Sequence, residues 1–135
     1  MSDWNRGVIE EFRANKGRVR AFARQPLLLL THTGSKTGIR RTNPLASFRD
    51  GDRYVVVASK GGAPTNPDWY RNLAAAGDGT IERGTETYKV SVRELTGAER
   101  DRIYAEQARR YPGFAEYERR TAGVRTIPVL ELKRA

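Results

Sequence analysis

The sequence predicts an α+β fold, a small antiparallel β-barrel with peripheral helices. Short apolar or β-branched runs recur between turn residues, at 27–31, 44–48, 54–58, 80–83, 87–93 and 127–132. Helical stretches fall at the start, after the third of these runs and before the last. The alternating strand–helix rhythm of a doubly wound parallel sheet is therefore missing. The 135 residues suffice for one core and a single domain, with an N-terminal helix in 1–25 and the barrel over 26–132.

Each element has a local reason. Trp4, Val8, Ile9, Phe12, Val19 and Phe22 fall largely on one helical stripe, with Asp3 as N-cap and Gly17 weakening the middle. The second half of this helix is basic (Arg13, Lys16, Arg18, Arg20, Arg24). It either packs its stripe on the domain or makes peripheral contact with an anionic membrane surface. Pro26 ends the segment, and Leu27-Leu28-Leu29-Leu30-Thr31 is too short for a helix and reads as a buried strand. Residues 44–48 form the second strand, and Asp50-Gly51-Asp52 turns into the β-branched third, Tyr54-Val55-Val56-Val57-Ala58. Asn66-Pro67 places a proline at the start of a short helix over 68–76. A hairpin around Gly84 joins 80–83 to 87–93. Thr96 or Gly97 caps a helix over 98–110, Tyr111-Pro112-Gly113 interrupts it, and a further helical turn runs through Tyr117. Residues 127–132 are the last strand.

Composition narrows the chemistry. Lys+Arg number 25 against 16 Asp+Glu, a formal charge of +9, which favours an anionic partner: nucleic acid, a lipid surface or a highly charged small molecule. The absence of cysteine removes disulfides, thiol nucleophiles and zinc clusters, and the single histidine, His32, cannot build a multi-histidine metal site. No run reaches the roughly 18–20 apolar residues of a membrane span. The N-terminus lacks the apolar core of a secretory signal. A cytoplasmic protein without a metal site is expected.

The densest signal is the polar, basic loop at 31–42, entered from the four leucines. Gly34 and Gly38, with Ser35, Lys36 and Thr37 between them, can turn backbone N–H groups toward one point, and Lys36, Arg40 and Arg41 bring cations to it. That combination makes an anion-binding turn between two strands. It is not a Walker-type loop, because Lys36 lies between the glycines and an extended stretch follows instead of a helix. The alternative is a solvated hairpin whose basic residues have no particular role.

Four stretches stand in order along the chain: residues 29–41; Val57-Ala58-Ser59-Lys60-Gly61-Gly62-Ala63; Asn66-Pro67-Asp68-Trp69-Tyr70-Arg71-Asn72-Leu73; and Tyr111-Pro112-Gly113-Phe114-Ala115-Glu116-Tyr117 with Ile127-Pro128-Val129. Together they resemble the deazaflavin-dependent nitroreductase family, oxidoreductases that use coenzyme F420, over about residues 26–132. The resemblance implies a split antiparallel β-barrel of the FMN-binding type. It implies as cofactor an 8-hydroxy-5-deazaflavin with a phosphate and a polyglutamate tail, with FMN as the second choice. It further implies that Ser35, Lys36, Thr37, Gly38 and Arg41 contact phosphate and tail, and that Leu30 and Thr31 lie along the cofactor. Ser35 stands where the family usually has arginine, so that contact is either unmade or passes to Arg40. Ala58, Ser59 and Lys60 would bring backbone close to the deazaflavin, and Trp69 and Asn72 would line its pocket.

Tyr111, Phe114 and Tyr117 recur every three residues, one face of a helix. In the family this segment caps the substrate pocket, and the middle position is often a tyrosine. Phe114 has no hydroxyl, so the proton would come from Tyr111, Tyr117, Ser59 or water. An aromatic stripe that merely packs the helix on the barrel is the other reading. The implied reaction is hydride transfer from reduced F420 to a small electrophilic acceptor: a quinone, an activated enone or a nitro compound. The rivals are a non-catalytic carrier of flavin, haem or deazaflavin, and a nucleic-acid-binding protein, although no recognition motif for nucleic acid is present. Related split barrels often pair, so a homodimer is a further expectation.

Overall fold

The computed structural model describes residues 3–22 and 26–135. Seven strands make one antiparallel sheet: β1 (Leu27–Thr33), β2 (Arg40–Ala46), β3 (Phe48–Asp50), β4 (Arg53–Val57), β5 (Asp78–Arg83), β6 (Glu86–Leu95) and β7 (Val129–Arg134). The spatial order is β2-β1-β5-β6-β7-β4-β3, so the two edge strands are consecutive in sequence and separated only by Ser47. The sheet must therefore curl until its edges meet at that residue, which yields the split barrel. Ser47 is buried, and its N–H donates to the Pro26 carbonyl at 2.8 Å. The single strand expected at 44–48 is thus the end of β2, a corner, and the start of β3.

The leucine run is explained by both faces of β1 being covered. Leu28 and Leu30 point into the barrel with Val56, Ile81, Val90, Leu130 and Leu132, whereas Leu27 and Leu29 meet Val8, Ile9 and Phe12 of α1 (Asp3–Ala14). Helix α2 (Asp68–Ala76) inserts Trp69 and Leu73 into the interior cluster. Helices α3 (Gly97–Arg110) and α4 (Gly113–Thr121) pack Ile103, Tyr104 and Phe114 against the outward residues Phe48, Val55 and Val129.

Further expectations change. The first helix ends at Ala14 and does not reach Phe22. Gly17 takes φ +90°, and a Cβ there would lie 2.8 Å from the Gly84 backbone, so the chain turns away at the β5–β6 hairpin. Trp4 leaves the stripe and is 62% exposed. Arg24, the last of its basic residues, lies outside the described residues. The helical turn expected through Tyr117 extends to Thr121. The last strand begins at Val129, because Pro128 has no N–H for the ladder and offers only its carbonyl, to Ala58 N–H at 2.9 Å.

Candidate functional site

The basic loop is the β1–β2 hairpin connection. Gly34 N–H donates to the Ile39 carbonyl at 2.8 Å, Gly38 N–H to the Gly34 carbonyl at 2.9 Å, and Ile39 N–H to Thr37 Oγ1 at 3.3 Å. Ser35 N–H donates to Asn72 Oδ1 at 3.0 Å. Most amides that the glycines were expected to present are thereby used internally. Those of Lys36 and Thr37 have no acceptor among the described residues. The loop lines a concavity of about 370 Å³ with Ser35, Lys36, Thr37, Arg41 and, from α2, Asp68, Arg71 and Asn72. Among the described residues Lys36, Arg40 and Arg41 have no carboxylate partner, whereas Arg71 is paired with Asp68 at 2.7 Å. Gly38 belongs to the loop without lining the concavity.

Beneath the loop a buried polar chain fixes its position. Asn72 Nδ2 donates to His32 Nδ1 at 2.9 Å, and His32 Nε2 donates to Asn43 Oδ1 at 2.6 Å. His32 is 4% exposed and occupies β1, so the loop expected over 31–42 begins only after it. Strand alternation carried the signal, because His32 shares the inward face of Leu28 and Leu30.

A second concavity, about 210 Å³, is lined by residues 44–46 of β2, Ser59, Lys60, Trp69, Phe114 and Gln107. Its floor is a left-handed turn, with φ +49° at Lys60, +64° at Gly61 and +83° at Gly62. Arg125 pins that turn with all five guanidinium N–H groups, donating to the carbonyls of Ala58, Ser59 and Ala63 and to Asn66 Oδ1 at 2.8–3.2 Å. Burial pushes the Arg125 guanidinium pKa down. Neither Arg125 nor Gln107 was anticipated. Gln107 follows Ile103 and Tyr104 at helical spacing, which marks the buried face of α3, whereas nothing local announces Arg125.

Phe114 lines this concavity, and Tyr111 and Tyr117 flank it with ring centroids 6.5 Å and 5.3 Å away. Tyr104 and Tyr70 are ill suited to give up a proton. Burial, first, pushes both up to about 12, and their hydroxyls donate to the Phe114 carbonyl and to Glu94 at 2.6 Å. Leu30 and Ala58 are fully buried in the barrel interior and line neither concavity. Thr31 bonds Thr42 through the hydroxyls at 2.9 Å and lines a separate recess with Arg40 and Lys89.

The two concavities are walled by different residues of the same two elements. Arg41 and residues 44–46 lie along β2, and Asp68, Trp69 and Asn72 along α2. A family model described as F420H(2)-dependent quinone reductase matches residues 4–133. The chain belongs to that family. An F420H(2)-dependent quinone reductase of Mycobacterium tuberculosis (strain ATCC 25618 / H37Rv) is 38% identical over 131 residues, which cover 91% of this chain and 85% of that one. Among solved structures, an F420-H2 dependent reductase (FDR-A) matches with a TM-score of 0.70 at 37% identity, over 80% of this chain and 94% of that one. A chain described as a domain-swapped dimer matches with a TM-score of 0.73 at 35% identity, over 97% and 98%. HutZ, a haem storage protein of Vibrio cholerae, has the same fold at a TM-score of 0.60 and 12% identity, over 95% and 90%.

Membership of the quinone reductase family makes this an F420-dependent oxidoreductase. Its residues fit such a cofactor: cations without carboxylate partners at one concavity, an aromatic-lined recess at the other. The haem-carrier reading loses its one histidine, since both ring nitrogens of His32 are engaged. Among the described residues no helix is long and apolar enough to cross a membrane.

Proposed function

We infer that this chain reduces a quinone to the hydroquinone at the expense of reduced F420, with the acidic tail at the β1–β2 loop and the ring end in the recess under Phe114. The observation that carries the reading is the pair of elements, β2 and α2, that walls both concavities. Arg41 and Leu45 are four residues apart on one face of β2, roughly 13 Å along a strand, a span that one elongated ligand covers. Lys36 and Arg41 would hold phosphate and carboxylates by charge-assisted hydrogen bonds. When bound, reduced F420 supplies the hydride. Trp69 and Phe114 would exclude water from the ring end, and the Arg125-pinned turn would keep Ser59 in place. Phe114 has no proton to give, so the proton comes from the Ser59 hydroxyl or from water. Residues 1–135 act as one such domain, in the cytoplasm, and a homodimer is part of the proposal. Activated enones and nitro compounds are secondary acceptors.

A fluorescence titration of the purified protein with F420, with FMN alongside, tests the cofactor half; oxidation of reduced F420 by a soluble quinone tests the rest. Saturable binding at micromolar or lower concentration that prefers F420, together with quinone-dependent oxidation, is expected. A preference for FMN, or no turnover with any quinone, would overturn the reading.

A further inference from the structure

We propose that Gln107 is a substrate-contacting residue whose side-chain amide hydrogen-bonds the quinone oxygens; the proposal rests on the function inferred above. Gln107 is 3% exposed and lines the recess under Phe114, and its Oε1 has no hydrogen-bond partner among the described residues. A buried amide oxygen left unpaired is unfavourable, and in a side chain that lines a recess it leaves the amide free to turn and pair with a ligand held there. Two other polar groups of the recess are already engaged: Lys60 Nζ donates to Thr65 Oγ1 at 3.0 Å, and the Ser59 carbonyl accepts from Arg125 at 2.9 Å, which leaves the Ser59 hydroxyl beside Gln107 as a polar group of the recess.

The chemistry of an amide suits this substrate. A quinone oxygen only accepts hydrogen bonds, whereas the hydroquinone O–H also donates. By turning over about its last torsion, Gln107 presents an N–H to the first or Oε1 to the second. Reduction adds a hydride from the reduced cofactor and a proton from water or the Ser59 hydroxyl, two electrons and two protons in all, and negative charge gathers on a quinone oxygen once the hydride has arrived. An N–H donor aimed at that oxygen stabilises the charge as it forms. The amide gives up no proton itself. Gln107 thus takes the hydrogen-bonding role that Phe114, lacking a hydroxyl, cannot fill.

The test uses the full chain and Gln107→Leu, with Gln107→Met as a second apolar variant of similar length. F420 affinity is read by fluorescence, quinone kinetics at saturating reduced F420, and stability by thermal unfolding. The expected result is F420 affinity within about twofold of wild type, kcat/KM for the quinone lower by about tenfold, and an unfolding midpoint unchanged or raised because an unpaired polar atom has gone. Unchanged quinone kinetics in either variant would overturn the proposal while leaving the functional reading intact. Weakened F420 binding with normal quinone kinetics would place the amide on the cofactor instead. A lowered midpoint with equal losses in both assays would make Gln107 structural. A wild-type protein without quinone turnover would overturn both.

Discussion

Asn72 is bonded in two directions, and its partners determine its orientation. The Ser35 N–H can only donate, so the atom facing it is Oδ1 and the atom facing His32 Nδ1 is the NH2 group. His32 then carries its proton on Nε2, toward Asn43. Asn72→Ala would leave the Ser35 amide and His32 Nδ1 without partners. Stability is expected to fall by about 1–3 kcal/mol in urea unfolding. F420 affinity should fall about tenfold in the same fluorescence titration, through a loop that has lost its anchor. Wild-type affinity in a folded Asn72→Ala protein would detach this chain of bonds from cofactor binding. At this scale the sequence was unevenly legible. Lys36 and Arg41 stood out by charge beside glycine, whereas Trp69 and Asn72 were expected only through the family resemblance. Gln107 and Arg125 were hidden, one because a glutamine on a charged helix reads as surface, the other because its acceptors are carbonyls of residues 58–63 brought near only by the fold.

Elements were easier to read than residues, since periodicity and turn chemistry act locally. The helix over 68–76 and the hairpins at Gly51 and Gly84 stand where proline, aspartate and glycine placed them. The corner at Ser47 and the end of α1 depend on barrel closure and on the Gly84 hairpin, distant facts that no local pattern contains. The tie between α3 and the sheet was equally invisible. Glu99, in the first turn of α3, bonds Arg93 on β6 at 3.2 Å and Arg53 on β4 at 3.3 Å, and both arginines also meet Glu131 on β7. Arg93, above all, holds the Glu99 carboxyl below its ordinary 4.5. A carboxylate with a depressed folded-state pKa contributes stability above its unfolded pKa and loses that contribution as pH falls through the folded value. Glu99→Gln should therefore be less stable than wild type at neutral pH, and the gap should shrink as pH falls through the lowered folded-state pKa of Glu99. Urea unfolding at pH 7 and pH 3 checks this, and a gap that persists in acid would assign the effect to packing.

For the whole molecule the informative quantity is the distribution of charge, not its sum. The chain carries +9, yet Arg53, Arg93, Arg100, Arg109 and Arg119 are each held by carboxylates. Lys36, Arg40 and Arg41 are not, and all three belong to or flank the loop between β1 and β2. A ligand with several negative charges would find these three cations grouped there, while other described cations without a carboxylate, such as Arg18, Arg49 and Arg102, lie elsewhere on the chain. Exposed cations are screened by salt over a distance that shrinks from about 10 Å at 0.1 M to about 3 Å at 1 M. F420 affinity should therefore fall about tenfold as salt rises from about 0.05 M to about 0.5 M, whereas Lys36→Ala with Arg41→Ala should bind more weakly at low salt and respond less to added salt. Fluorescence titrations at four salt concentrations give both slopes, and thermal unfolding should show the double variant folded, because both side chains are exposed on a loop rim. Equal slopes for the two proteins would move the anionic tail away from this loop. The recess lined by Thr31, Arg40 and Lys89 would then be the next place to look for it, since its basic residues also lie beside β1.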